Sequence, residues 1–141
     1  MTYGSFKYLV KGLLTGDNAL PSDENVMLSM LSYGFNMVAN EAEALHLLTL
    51  NRNKDILRKA TGDYLMRNPK LPVHDSDALD IDNELCYPLA EFVAGSLSRD
   101  KKKAHDEAAT KLIMHYNGKI ESILSSIRKQ SDGTLDLDME S

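Results

Sequence analysis

A chain of 141 residues has the length of one domain and is long enough to bury a core without disulfide or metal staples. With 43% hydrophobic and 26% charged residues it is neither wholly disordered nor collagen-like, and no run reaches the ~18 apolar residues of a membrane span. The net charge of −5 gives no general attraction to nucleic acid, and the single cysteine, Cys86, has no partner for an internal disulfide, as expected in a reducing compartment.

Phe6, Leu9, Val10, Leu13 and Leu14 recur at helical spacing and predict a short amphipathic helix over 4–14, ended by Gly16, Asp17 and Asn18. After Pro21, Ser22 or Asp23 can cap a long helix running to about Leu45. Its expected stripe is Val26, Met30, Met37, Val38, Ala42 and Leu45, widened by Leu31, Tyr33 and Phe35. Gly34 inside this helix signals close packing or a bend.

The period then changes. Turn-formers at Asn51, Arg52 and Asn53, and again at Thr61, Gly62 and Asp63, divide 46–67 into two or three short strands or a projecting hairpin. A continuous helix over 46–60 is the alternative. Pro69 and Pro72 hold their predecessors extended, which makes 68–79 a loop.

A third helix is expected to bury Leu85, Leu89, Phe92, Val93 and Leu97 behind a cap at Asp80 or Asp82, with Pro88 kinking it early. After a break at 98–100, with Asp100 as cap, a last helix carries Ala104, Ala108, Leu112, Ile113, Tyr116, Ile120, Ile123, Leu124 and Ile127. From Ser131 onward there is no Lys or Arg, and Leu135, Leu137 and Met139 alternate with acids. That period suits either a frayed tail or a strand added to another sheet. The fold expected is mainly α: a small bundle of about four helices over 1–130 with a short projecting β element near 46–67, and an extended C-terminal tail over 131–141.

Chemistry is sparse. Asp75, Asp77, Asp80, Asp82 and Glu84 resemble a hard-cation loop, but a calcium-loop register puts Leu79 at a ligand position and lacks the glycine of the sharp turn. His46, His74, His105 and His115 form no zinc-type pair, and Cys86 has no cysteine neighbour. Without a nucleophile elbow, P-loop or dinucleotide fingerprint, neither an enzyme nor a cofactor is expected. Basic residues gather at Arg52, Lys54, Arg58, Lys59, Arg67 and Lys70, and at Arg99, Lys101, Lys102 and Lys103, without the aromatic set that stacks on bases.

The ordered set EAEALHLLTL, DILRKATGDYLMRNPKLP, HDSDALDID and NELCYPLAEFVAGSLSRD, in the stretch from Glu41 to Lys101, resembles the head-to-tail adaptor (connector) proteins of tailed bacteriophages. Tyr64-Leu65-Met66-Arg67-Asn68-Pro69-Lys70-Leu71-Pro72 is similar to that family's strand segment, Asp75 to Leu85 to its acidic loop, and Leu97-Ser98-Arg99-Asp100 to the end of its helix. The resemblance implies a virion protein at the head–tail interface, assembled in the bacterial cytoplasm as a homo-oligomeric ring, commonly a dodecamer, between the portal protein and a downstream tail or nozzle protein. It implies no membrane contact, and only passing, non-specific proximity to the genome during packaging and ejection. Leu135, Leu137 and Met139 would then reach the portal. Arg52, Lys54, Arg58, Tyr64 and Arg67 would meet neighbouring subunits or the tail protein, and Asp75, Asp77 and Asp80 would be lumen or loop acids that repel phosphate. The alternative is a small helical regulatory or DNA-associated module using Arg99 and Lys101 to Lys103.

Overall fold

The computed structural model describes residues 1–130; the expected C-terminal strand residues Leu135, Leu137 and Met139 lie outside the described residues. Four α-helices and a small three-stranded sheet make up the described fold, in agreement with the mainly α expectation.

Helix α1 (Tyr3–Leu13) starts where the Thr2 side chain accepts the Ser5 N–H, and buries Tyr3, Phe6 and Val10 along one face. It ends before Gly16, whose φ of 64° is a left-handed turn that glycine enters without steric cost. Helix α2 (Glu24–Glu41) is capped by Asp23, which accepts the Asn25 N–H. Its buried face is Met27, Leu31, Gly34, Phe35, Val38 and Ala39. The expected stripe was therefore rotated: Val26 is exposed and Met27 takes the core position. The helix also stops at Glu41, four residues short of Leu45, with Ala42 already in extended backbone. Gly34 marks close packing. A Cβ there would stand 2.8 Å from Leu89 Cδ1 and 3.1 Å from Val93 Cγ2, so α2 crosses the next long apolar segment almost backbone to side chain.

A 3₁₀ turn (Leu45–Leu47) leads into β1 (Leu48–Thr49), followed by β2 (Ile56–Lys59) and β3 (Leu65–Arg67). The continuous helix over 46–60 is thereby excluded. Strand β3 is central and antiparallel to both neighbours, with Leu48 opposite Met66, Thr49 opposite Leu65, and Lys59 opposite Leu65 on the other side. A register shift between Ile56 and Arg58 bends β2. Gly62, at φ 59°, supplies the left-handed residue of the β2–β3 turn. The sheet is anchored on the helices, because Leu48, Tyr64 and Met66 are buried in the same core as the helical residues.

Helix α3 (Cys86–Ser96) packs against α1, α2 and α4 and buries eight of its eleven residues, which places it at the centre. The kink expected at Pro88 does not arise. A 3₁₀ turn (Asn83–Leu85) precedes the α-helix, so Pro88 is its third residue, where the missing N–H has no intrahelical acceptor to lose. Helix α4 (Lys102–Gln130) has 29 residues and, at ~1.5 Å each, runs about 44 Å. Its first turn closes from His105 N–H to the Lys101 carbonyl, one residue past the expected Asp100 cap. Ala109, Ile113, Tyr116, Ile120, Leu124 and Ile127 are buried, whereas Leu112 and Ile123 of the expected stripe are exposed. The N-terminal half of α4 lies on α3; further along, Asn117 Nδ2 donates to the Glu41 carbonyl, and Arg128 reaches Thr61 Oγ1 in the β2–β3 turn.

Candidate functional site

The polar side chains of the resemblance segments converge where the sheet, the acidic loop and the helices meet. Strand β3 ends at Arg67, and its side chain points back over the loop that follows Pro69 and Pro72. The guanidinium grips both oxygens of Asp80, with Arg67 Nη2 at 2.9 Å from Oδ1. The same carboxylate accepts the Lys70 N–H at 2.8 Å and lies 2.8 Å from His46 Nε2. Partial burial alone would raise the pKa of Asp80. The hydrogen bonds from Arg67, the Lys70 N–H and His46 outweigh it and hold the carboxyl well below the usual range. The paired carboxylate in turn raises the Arg67 pKa against the opposing effect of burial. Asp80 is thus a fixed anion with its acceptor sites taken, a poor general base.

Two residues on, Asp82 forms a second clamp. Its carboxylate accepts the His46 N–H at 3.0 Å and the Tyr116 hydroxyl at 2.8 Å. Tyr116 also accepts the Leu45 N–H at 3.1 Å, so one buried phenol joins α4 to the turn before β1 and to the acidic loop. Burial, together with the nearby Asp82 and Glu84 charges, keeps that phenol protonated far into alkali, although the Leu45 N–H works the other way. Neither Asp80 nor Asp82 gives a side-chain cap to α3, which was their expected role; Asp82 precedes the 3₁₀ turn without a capping bond, and both carboxylates bond outward to other elements.

A third clamp holds β2. Arg58 donates to the Ala39 and Ala42 carbonyls at the end of α2 and to Glu43 Oε1 at 2.9 Å, while Glu43 Oε2 accepts the Thr61 N–H. Those otherwise unpaired C-terminal carbonyls of α2 are satisfied by this guanidinium.

The remaining candidates sort by what they touch. Asp77 closes the loop onto itself by accepting the Val73 and His74 N–H groups, which lower its pKa. Asp75 pairs with Lys7 of α1 at 2.8 Å and stays largely exposed. Its carbonyl and that of Asp77 accept N–H groups at the start of α1. Tyr64 is buried at 3% exposure, whereas Arg52 and Lys54 are exposed in the turn between β1 and β2. The sequence singles out Arg58 and Arg67 as contacts with neighbouring subunits or the tail protein and Asp80 as a lumen or loop acid, whereas all three are bonded within the chain. Sequence reading missed His46, Glu43, Asp82 and Tyr116 as their partners, since Asp82 and Tyr116 are 34 positions apart and no local pattern joins them.

A cleft of about 620 Å³ opens beside the first clamp, lined by His46, Lys54, Arg67, Lys70 and Asp80 among others, with no hydroxyl or thiol among the described residues of its lining. The basic run at 99–103 has a different character. Lys102 pairs with Asp106 and lies over the Tyr33 ring, and Asp100, Asp106 and Glu107 share its surface depression with Arg99, Lys103 and Lys111. Cys86 is buried, and burial pushes its thiol up to about 11. Among the described residues there is no cluster of metal-ligating side chains, and no helix is long and apolar enough to cross a membrane. Set against family models, curated proteins and solved structures, the chain matches none.

Proposed function

We propose that this protein is a structural adaptor of a tailed-phage virion, a ring component that links the portal protein to the tail and leaves a passage for DNA. One observation carries the reading beyond the resemblance itself. Acids, an arginine and a histidine of the similar segments are bonded to one another and to Tyr116 of α4 across the sheet–loop–helix junction, with Arg67, His46 and the Lys70 N–H on Asp80, and Tyr116 on Asp82. Residues that suggest chemistry in the sequence are used for rigidity, which suits a part that works by holding a shape.

In this reading partners meet the exposed β1–β2 turn, with Arg52, and the exposed apolar side chains Val73, Tyr8, Tyr87 and Ile123. Each contact is small, and cyclic repetition multiplies it when all copies engage together. Of the three candidate lumen acids, Asp75 keeps the exposure such a role needs, whereas Asp80 belongs to the junction.

The test is to add the protein to the purified portal of the same phage and weigh the product by native mass spectrometry. A discrete complex with a fixed number of copies per portal is expected; two unmixed species overturn the reading. The DNA-associated alternative is weakened by the mixed charge around Lys102, and it requires salt-sensitive DNA binding that Lys101→Glu with Lys102→Glu abolishes.

A further inference from the structure

Two helices carry more apolar surface than the core takes. On α2, Val26, Met30, Tyr33 and Met37 recur at steps of four, three and four, which aligns them along one side, while the core takes Met27, Leu31 and Phe35. Val26 is 42% and Tyr33 37% exposed, and Met30 and Met37 are half-covered. Between Glu24 and Glu41 the helix has no charged residue, and its other exposed positions are asparagine and serine. Lys102 of α4 flanks Tyr33, with its charge met by Asp106. A helix face that holds methionine and tyrosine and lacks charge has the composition of an interface centre.

The second surplus lies on α4. Glu91 bonds His105 and Glu84 bonds Lys119, which marks the seam where α3 and α4 meet the solvent. Tyr87 falls between those glutamates on α3, and Leu112 lies midway between His105 and Lys119 on α4, so both stand on the seam. They are 47% and 41% exposed, and Ile123, about three turns beyond Leu112, is 45% exposed. Asn117, which bonds the end of α2, is on the opposite flank of α4. The two faces therefore lie on different sides of α4.

Length and charge indicate what covers the α2 face. Val26 to Met37 and Leu112 to Ile123 have the same spacing, about 16 Å at ~1.5 Å per residue. A second α2 fits poorly. Its uncharged middle is bounded by Glu24 and Glu41, so either direction brings acids together at the ends. The α4 seam of another copy fits in the antiparallel direction. With Met37 over Leu112 and Val26 over Ile123 of that copy, Glu41 lies one turn beyond Met37 and within reach of Lys111. Among the described residues neither Glu41 nor Lys111 has an ion-pair partner, and His115 adds to the basic side of the seam.

We propose that the uncharged face of α2 packs antiparallel on the α3–α4 seam of the next copy of this chain. The two surfaces differ, so each copy uses one and offers the other, and the contact repeats head to tail until it closes. The inference deepens the ring reading and rests on it.

Disulfide trapping on the full chain, bound to the purified portal of the same phage, tests the proposal. Val26→Cys with Ile123→Cys places thiols at two exposed positions, whereas Cys86 is buried. Mild oxidation is expected to give a ladder of covalent oligomers that climbs past the dimer, and neither single variant gives one. Without added cysteines, Glu41→Lys is expected to lower the occupancy of the portal about fivefold, and Glu41→Lys with Lys111→Glu to restore it. A covalent dimer from Val26→Cys alone overturns the proposal, since it places α2 on a second α2. A complete portal complex with neither ladder nor charge rescue also overturns it and leaves the adaptor reading standing, the face then belonging to a different protein. The absence of any portal complex removes the adaptor reading and this contact with it.

Discussion

The molecule is held together differently at its two ends. Around α3 the joints are apolar: Phe6, Leu31, Leu89, Phe92 and Ile113 are all but inaccessible to water, and Gly34 brings α2 against Leu89 and Val93. Around Asp80 and Asp82 polar joints are added to the burial of Leu48, Met66 and Leu79: carboxylates bonded to Arg67, His46 and Tyr116 fix three short elements and a loop. A core with many side chains to bury needs few directional bonds, whereas a two-residue strand and a loop with two prolines bury few side chains each and gain more from them. The two ends should therefore fail under different stresses, large-to-small substitution at one and acid at the other.

The largest effect is expected in the apolar half. Phe92→Ala empties the centre of the core and should cost about 3–5 kcal/mol by urea denaturation, with little dependence on pH. A loss under ~1 kcal/mol would mean that α3 is not the centre of the fold.

Asp80→Asn comes next, at about 1.5–3 kcal/mol near neutral pH, since it weakens the charged bonds to Arg67 and leaves that guanidinium half-buried. Its distinguishing feature is the pH profile. The folded-state pKa of Asp80 is depressed, so its contribution is complete above the unfolded carboxylate value of about 3.9 and is lost as pH falls below it. Wild type and Asp80→Asn should converge in stability below pH ~4; a constant gap down to pH ~2 would remove Asp80 from the clamp.

Tyr116→Phe is smaller, about 1–2 kcal/mol, because it leaves the Leu45 N–H and the Asp82 carboxylate short of one partner each. Hydrogen exchange should locate that loss at the turn before β1. At the bottom of the scale, Lys101→Glu with Lys102→Glu should move stability by less than ~0.5 kcal/mol, as an exposed pair of substitutions does. A larger shift would give the Lys102–Asp106 pair a structural weight that its exposure does not suggest.

The same division decides how much could be read from the sequence. In the apolar half, Phe6 and Val10, Leu89 and Val93, and Ile113, Tyr116 and Ile120 announce their helices by spacing, since a helix places every third or fourth residue on one face. The errors there were errors of phase. Met27 replaced Val26 because α2 starts at Glu24 and crosses α3 through Gly34, a tertiary fact. Pro88 falls in the first turn because the 3₁₀ turn at Asn83–Leu85 moves the helix start towards it. In the polar half the turn residues Gly62, Pro69 and Pro72 revealed the strand borders. The partners did not show: a carboxylate at 80 pairs equally well, as text, with any basic residue, and only the folded chain selects Arg67 and His46.

The claim that the protein acts by shape, as a ring between portal and tail, is tested most directly by electron microscopy of the portal of the same phage with and without the protein. An added disc of density on the tail-facing side of the portal, coaxial with its channel and present in mature virions, is the expected result. A bare portal at saturating protein, together with virions that lack the chain, would contradict it.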